Sequence, residues 1–218
     1  MRVGLLGGSF DPVHYGHLLL AECAHEQWSL DEVWFVPSAR PPHKQEQVLA
    51  PGKMRAEMLE LATAGHKAFR VWKCELERGG VSYTVDTLRQ LRQERPEATV
   101  FLILGADMLA DLPNWRESAE ICRLADPLVA HRPGSPEPDF EQLRPIVSPE
   151  RLAEIRHHLI EMPLVEFSSS DIRRRVARGQ SIRFRTPRAV EEYIACHGLY
   201  RQAESAESRS GQGGYSRH

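Results

Sequence analysis

Residues 7–17, Gly-Gly-Ser-Phe-Asp-Pro-Val-His-Tyr-Gly-His, constrain this chain more than any other stretch. The apolar run at residues 3–6 reads as a short strand buried on both faces, and from residue 18 to 28 apolar residues recur at helical spacing. The stretch between is therefore a strand-to-helix turn. Such turns bind anions, because glycines let the backbone approach a ligand and the first N–H groups of the helix carry a partial positive charge. Gly7, Gly8, Ser9 and Phe10 would form the turn, with His14 and His17 one helical turn apart on one side of the helix start. Two imidazoles there can donate to phosphate oxygens, share a metal, or serve as ordinary polar residues. No Cys or Glu follows at a spacing that closes a zinc site, which argues against the metal.

Beyond this turn, strand-like and helix-like segments alternate. Strands are expected near residues 32–37, 69–75, 99–104, 127–130 and 164–167. Helices are expected at 51–65, from 82 or 84 to 95, in two short pieces at 108–112 and 115–124, and then at 149–162, 171–178 and 187–198. That order predicts a doubly wound, Rossmann-like parallel sheet with helices on both faces, in which ligands sit beyond the carboxyl ends of the strands. One domain over residues 1–200 is expected, its C-terminal helical part at about 168–200, and the Gly/Ser-rich residues 202–218 read as a disordered tail.

A formal net charge of −2 without a long basic block argues against a nucleic-acid binder. No run of about 18 apolar residues occurs, so no membrane span is expected, and the N-terminal apolar run is too short for a signal peptide. Cys23, Cys74, Cys122 and Cys196 have no paired spacing, which fits free thiols in a cytoplasmic protein. The oligomeric state stays open, a homo-oligomer included.

Several other stretches offer chemistry at the expected strand ends. His43 and Lys44, in the loop after the second strand, are either solvated or able to approach a phosphate. Tyr83 and Thr84 open a helix, as an anion site or an ordinary capped start, and Trp115 can stack on a flat ring or pack against the body. Gly105 and Asp107 end the central strand, where the carboxylate can hold a ribose or cap a helix. Arg132 adds one cation after the fifth strand. Ser168 and Ser169 precede Arg173, Arg174 and Arg175, three cations expected in the first turns of a helix, where the macrodipole opposes them. Of the three, Arg173 is the one expected to face a ligand.

The first motif resembles the signature of nucleotidyltransferases, which transfer AMP or CMP from a nucleoside triphosphate. Pro-Pro-His-Lys at 41–44, Ser-Tyr-Thr-Val-Asp-Thr-Leu at 82–88, Gly-Ala-Asp-Met-Leu at 105–109 with Trp115, Arg-Pro-Gly at 132–134 and Ser-Ser-Ser-Asp-Ile-Arg at 168–173 extend the resemblance. Together they make residues 1–200 similar to the bacterial nicotinate mononucleotide adenylyltransferases. Ser170 departs from the family's usual threonine but keeps the hydroxyl, and Phe167 replaces a smaller aliphatic residue. The resemblance implies that ATP and nicotinate mononucleotide are the substrates, with Mg²⁺ accompanying ATP. It implies that His14, His17 and Arg173 meet the phosphates with the 7–10 turn, assisted by Ser168 and Ser169, and that Asp107 beside Gly105 holds the ribose. Tyr83, Thr84 and Trp115 would form the nicotinate pocket, with His43, Lys44 and Arg132 as further substrate contacts. A sister enzyme acting on phosphopantetheine or glycerol phosphate would share only the first motif, and a nucleotide sensor would bind ATP without turnover.

Overall fold

Val3 and Leu5 point to one side of the first strand and Gly4 and Leu6 to the other, and the chain builds a separate apolar cluster on each side. The computed structural model describes residues 1–42, 48–131, 134 and 136–201. Six parallel strands, β1 (Arg2–Gly8), β2 (Glu32–Pro37), β3 (Phe69–Val71), β4 (Thr99–Gly105), β5 (Asp126–His131) and β6 (Leu159–Glu161), pair in the order β3-β2-β1-β4-β5-β6. The order reverses between β1 and β4. In a doubly wound sheet the crevice beyond these two carboxyl ends is where a ligand is received.

On one face the strands meet α1 (Tyr15–Gln27), α2 (Gly52–Thr63), α8 (Ser169–Ala177) and α9 (Arg188–Cys196), through Ala21, Met58, Ile172, Val190 and Ile194. On the other they meet α3 (Cys74–Arg78), α4 (Thr84–Glu94), α5 (Ala106–Asp111), α6 (Ser118–Leu124) and α7 (Pro149–Ile155), through Cys74, Leu88, Leu109, Ile121 and Leu152. Burial on both faces explains why β1 and β4 read as continuous apolar runs. Gly4 permits the close approach: a Cβ there would stand 2.7 Å from Leu30 Cδ1 and 2.9 Å from Ile103 Cδ1.

Two strand expectations are corrected. The third strand stops at Val71 rather than at residue 75, and residues 74–78 turn into α3. Its alternating pattern suits a strand, but Cys74 joins the core from a helix, and Glu75 accepts a hydrogen bond from the Thr87 hydroxyl at 2.6 Å. The sixth strand lies at Leu159–Glu161, inside the segment expected to be helical, and residues 164–167 form no strand. α7 ends at Ile155, and two side chains at the C-terminal end of α1 cover the edge so created. The Trp28 indole donates to Leu159 O at 2.9 Å, while the Gln27 amide both donates to Glu161 O and accepts from Glu161 N. An edge strand satisfied by side chains carries little signal in its own sequence.

The four cysteines are free, three of them buried, and none of the described helices is long and apolar enough to cross a membrane. His43, Lys44, Arg132 and the 202–218 tail lie outside the described residues.

Candidate active site

At the end of β1 the backbone turns at Phe10, whose φ of 46° lies in the left-handed region. Its ring folds back under Gly8, where a Cβ would meet it at 3.2 Å, and is fully buried against Phe35 and the edge of His17. Phe10 therefore presents only backbone to a ligand. Its side chain supports His17 from behind. Gly7, by contrast, has no atom within 4 Å of the place where a Cβ would stand.

His14 caps α1 with extended backbone, and its N–H donates to His17 Nδ1 at 3.3 Å. A nitrogen that accepts cannot also carry the proton, so neutral His17 is protonated on Nε2. The two imidazoles stack with centroids 3.7 Å apart and planes 20° from parallel. His14 is buried, and burial lowers its pKa to about 4, so it is neutral at physiological pH. Its Nδ1 is enclosed and has no hydrogen-bond partner.

The start of α8 is fastened to this loop. Ser168 caps the helix by accepting from Asp171 N at 3.1 Å, and the Ser169 hydroxyl donates to Pro12 O at 2.8 Å. Arg173 Nη1 donates to Asp11 O at 2.6 Å, and Nη2 donates to the Ser170 hydroxyl at 3.2 Å. Phe167, just before the cap, lies 6.5 Å from His14 between ring centroids. Thus Arg173, Ser169 and the two imidazoles converge on residues 11–17. The conflict expected between the macrodipole and three arginines is not present. α8 begins at Ser169, earlier than residue 171, and ends at Ala177, so Arg174 and Arg175 fall in its last turn, where the dipole favours cations. Arg174 pairs with Asp171, and Arg175 donates to Ser181 O.

Two residues not singled out from the sequence hold the loop. Asp11 is fully buried and accepts from the Tyr200 hydroxyl at 2.6 Å. Arg55, 1 % exposed, donates to Ser9 O and Ser38 O at 2.7 Å and to Ala50 O at 2.9 Å, tying the ends of β1 and β2 together. Its spacing from Met58 and Leu59 on the buried side of α2 was the available signal.

Across the β1–β4 crevice, Gly105 caps α5 and the Asp107 carboxylate lies over it, with Oδ1 2.6 Å from the place of a Cβ. Tyr83, rather than Ser82 or Thr84, occupies the cap position of α4. Ser82 is used elsewhere, its hydroxyl accepting from Ala39 N at 2.9 Å, so the loop after β2 is joined to the helix start. Thr84 is the first helical residue. Tyr83 carries the Arg116 guanidinium 4.6 Å above its ring, and neighbouring Trp115 donates to Asp111 at 3.1 Å. A separate, mainly apolar groove of about 580 Å³, bordered by Tyr15, Leu19, Ala62, Phe69 and Phe167, includes none of the phosphate- or ribose-facing candidates.

Donors at the end of β1, an acidic residue at the end of β4 and aromatic residues beyond them stand at the crevice where doubly wound proteins receive ligands. Residues 5–175 match the cytidylyltransferase-like family model. The chain is 46 % identical over 201 residues to a protein of Thermus thermophilus named "Probable nicotinate-nucleotide adenylyltransferase", covering 92 % of this chain and 100 % of the relative. It is 44 % identical over 204 residues to the protein of the same name from Thermomicrobium roseum, covering 94 % of each. The chain belongs to the cytidylyltransferase-like family and, within it, to the nicotinate-nucleotide adenylyltransferases. The fold also matches the solved structure of Plasmodium falciparum nicotinic acid mononucleotide adenylyltransferase complexed with NaAD, with a TM-score of 0.67 at 19 % identity, over 91 % of this chain and 97 % of that one.

Proposed function

We propose that this chain transfers AMP from ATP to nicotinate mononucleotide, giving nicotinate adenine dinucleotide and pyrophosphate, a step of NAD biosynthesis. The observation that carries the site reading is the fastening of Arg173 and Ser169 to the same short loop that bears His14 and His17. In this reading the triphosphate lies along the 7–10 turn, against the two imidazoles and Arg173, with Ser168 and Ser169 beside it. Asp107, over Gly105, accepts from the adenosine ribose hydroxyls. Tyr83, Thr84 and Trp115 receive the pyridine ring, and N–H groups at the start of α4 read its carboxylate. His43, Lys44 and Arg132, outside the described residues, would be further substrate contacts.

The chemistry needs no general base. The second pKa of a phosphate monoester is about 6, so the 5′-phosphate of the acceptor is largely dianionic at neutral pH. One of its oxygens attacks the α-phosphorus of ATP in line. The new P–O bond forms as the bond to the bridging oxygen breaks, and that oxygen leaves on pyrophosphate with the electron pair. The protein supplies alignment and neutralisation of charge. His17 donates through Nε2, and Arg173 supplies positive charge. No group of three or more His, Cys, Asp or Glu side chains among the described residues could hold a metal ion. Mg²⁺ would enter with ATP, held mainly by phosphate oxygens and water.

A pyrophosphate-release assay with ATP and Mg²⁺ tests the reading, comparing nicotinate mononucleotide with its amide, phosphopantetheine and glycerol phosphate. Turnover with the nicotinate acceptor is expected. Turnover confined to another acceptor, or ATP binding without pyrophosphate release, would overturn it.

A further inference from the structure

Asp11 contacts groups from three remote parts of the chain, and its two carboxylate oxygens are used unequally. Oδ1 accepts from the Tyr200 hydroxyl at 2.6 Å and from Ala50 N at 3.3 Å. Oδ2 is enclosed and has no hydrogen-bond partner, and Arg173 Nη1 stands 3.8 Å from it. That separation is too long for a hydrogen bond, although the two groups carry opposite charge. The same Nη1 is held by the backbone carbonyl of Asp11 at 2.6 Å. Arg173 is thus secured to residue 11 by main chain, while the nearby carboxylate is turned toward Tyr200. Burial, and then the bond to Asp11, push the pKa of the Tyr200 phenol up, so it stays a donor.

Resting on the reading of Arg173 as the phosphate-facing cation, we propose that Tyr200 is a positioning residue for nucleotidyl transfer. By holding the Asp11 carboxylate away from direct bonding with Arg173, its hydroxyl leaves the N–H groups not used by Asp11 O and Ser170 open to the triphosphate. Without that bond the carboxylate rotates toward Arg173 and competes with ATP for the same N–H groups. A charge-assisted carboxylate–guanidinium bond is strong enough to make that competition count. Tyr200, after α9, thereby acts on the site through Asp11 and Arg173.

The test is a double-mutant cycle on ATP kinetics, built from Tyr200→Phe, Arg173→Lys and the double variant, with thermal melts to confirm folding. Tyr200→Phe alone is expected to lower kcat/KM for ATP about tenfold and to leave KM for nicotinate mononucleotide within about twofold. In the Arg173→Lys background the same change should cost less than about twofold, because the group it acts through has been replaced. A purely structural role would lower Tm and leave the ATP kinetics of the folded enzyme unchanged, which would overturn the inference. Equal losses in both backgrounds would overturn it too. If Arg173→Lys itself keeps full kcat/KM, the phosphate role of Arg173 falls and the inference with it. A loss there beside unchanged Tyr200→Phe kinetics removes only the inference. Should Tyr200→Phe not fold, Asp11→Asn takes its place, since it removes the competing charge at constant size. ATP should then bind at least as tightly as to the unmodified chain, and a KM for ATP raised about tenfold in the folded variant would overturn the proposal.

Discussion

The imidazoles of His14 and His17 stack at 3.7 Å, and the backbone N–H of the first donates to Nδ1 of the second. Two charged rings at that distance would repel by about 4 kcal/mol at an effective dielectric constant of 20. Burial keeps His14 the neutral member of the stack, so that repulsion is avoided.

The pH response of His14 follows from its burial. Its pKa falls from 6.5 in the unfolded chain to about 4 in the folded one, so between these values the unfolded state binds more protons. The contribution is fully present above pH 6.5 and is lost as pH falls toward 4, about 3 kcal/mol in all. Urea unfolding at pH 7 and at pH 4.5 measures it. His14→Gln should lose less stability over that interval than the unmodified chain. Saturating ATP should raise the His14 pKa, read from the imidazole resonances by NMR titration.

His17 tests the proposed transition-state role. His17→Ala should lower kcat about 100-fold or more while KM for ATP changes only a few-fold, as when one preorganised donor to developing charge is removed. Steady-state pyrophosphate release measures both constants. A raised KM with normal kcat would show that His17 binds ATP without favouring the transition state.

Arg55 links stability to the site. Replacement by Met leaves the Ser9, Ser38 and Ala50 carbonyls without their donor and removes a cation beside Asp11. A cost of about 3–5 kcal/mol is expected in denaturant unfolding. Arg55→Lys should recover only part of it, because one ammonium cannot reproduce the spread of a guanidinium.

The local parts of the site were legible in the sequence because neighbours in the chain build them. Gly7 to His17 announces a turn and a helix start, and the apolar runs of β1 and β4 announce buried strands. What escaped depends on distant partners. Asp11 reads as one more residue of a turn until Tyr200 and Arg173 are brought to it, and Arg55, although spaced with Met58 and Leu59, shows no partner until three carbonyls converge on it. β6 carries little local signal because its edge is completed by Gln27 and Trp28, and the arginines of α8 meet the favourable end of the dipole because the helix starts at Ser169 and ends at Ala177.

A pair of glycines separates the needs of the fold from those of the proposed site. Gly4→Ala puts a Cβ 2.7 Å from Leu30 Cδ1 and 2.9 Å from Ile103 Cδ1, inside a packed core. It should cost about 1–3 kcal/mol of stability in denaturant unfolding and leave kcat/KM of the folded enzyme unchanged. Gly105→Ala puts its Cβ 2.6 Å from Asp107 Oδ1, at the end of an exposed side chain that can swing away, and its backbone angles of −76° and 162° suit alanine. Stability should therefore hold. The displaced carboxylate no longer meets the ribose, and kcat/KM for ATP should fall about tenfold, the worth of one hydrogen bond to a charged acceptor. Normal ATP kinetics in Gly105→Ala would mean that Asp107 serves the helix and not the nucleotide.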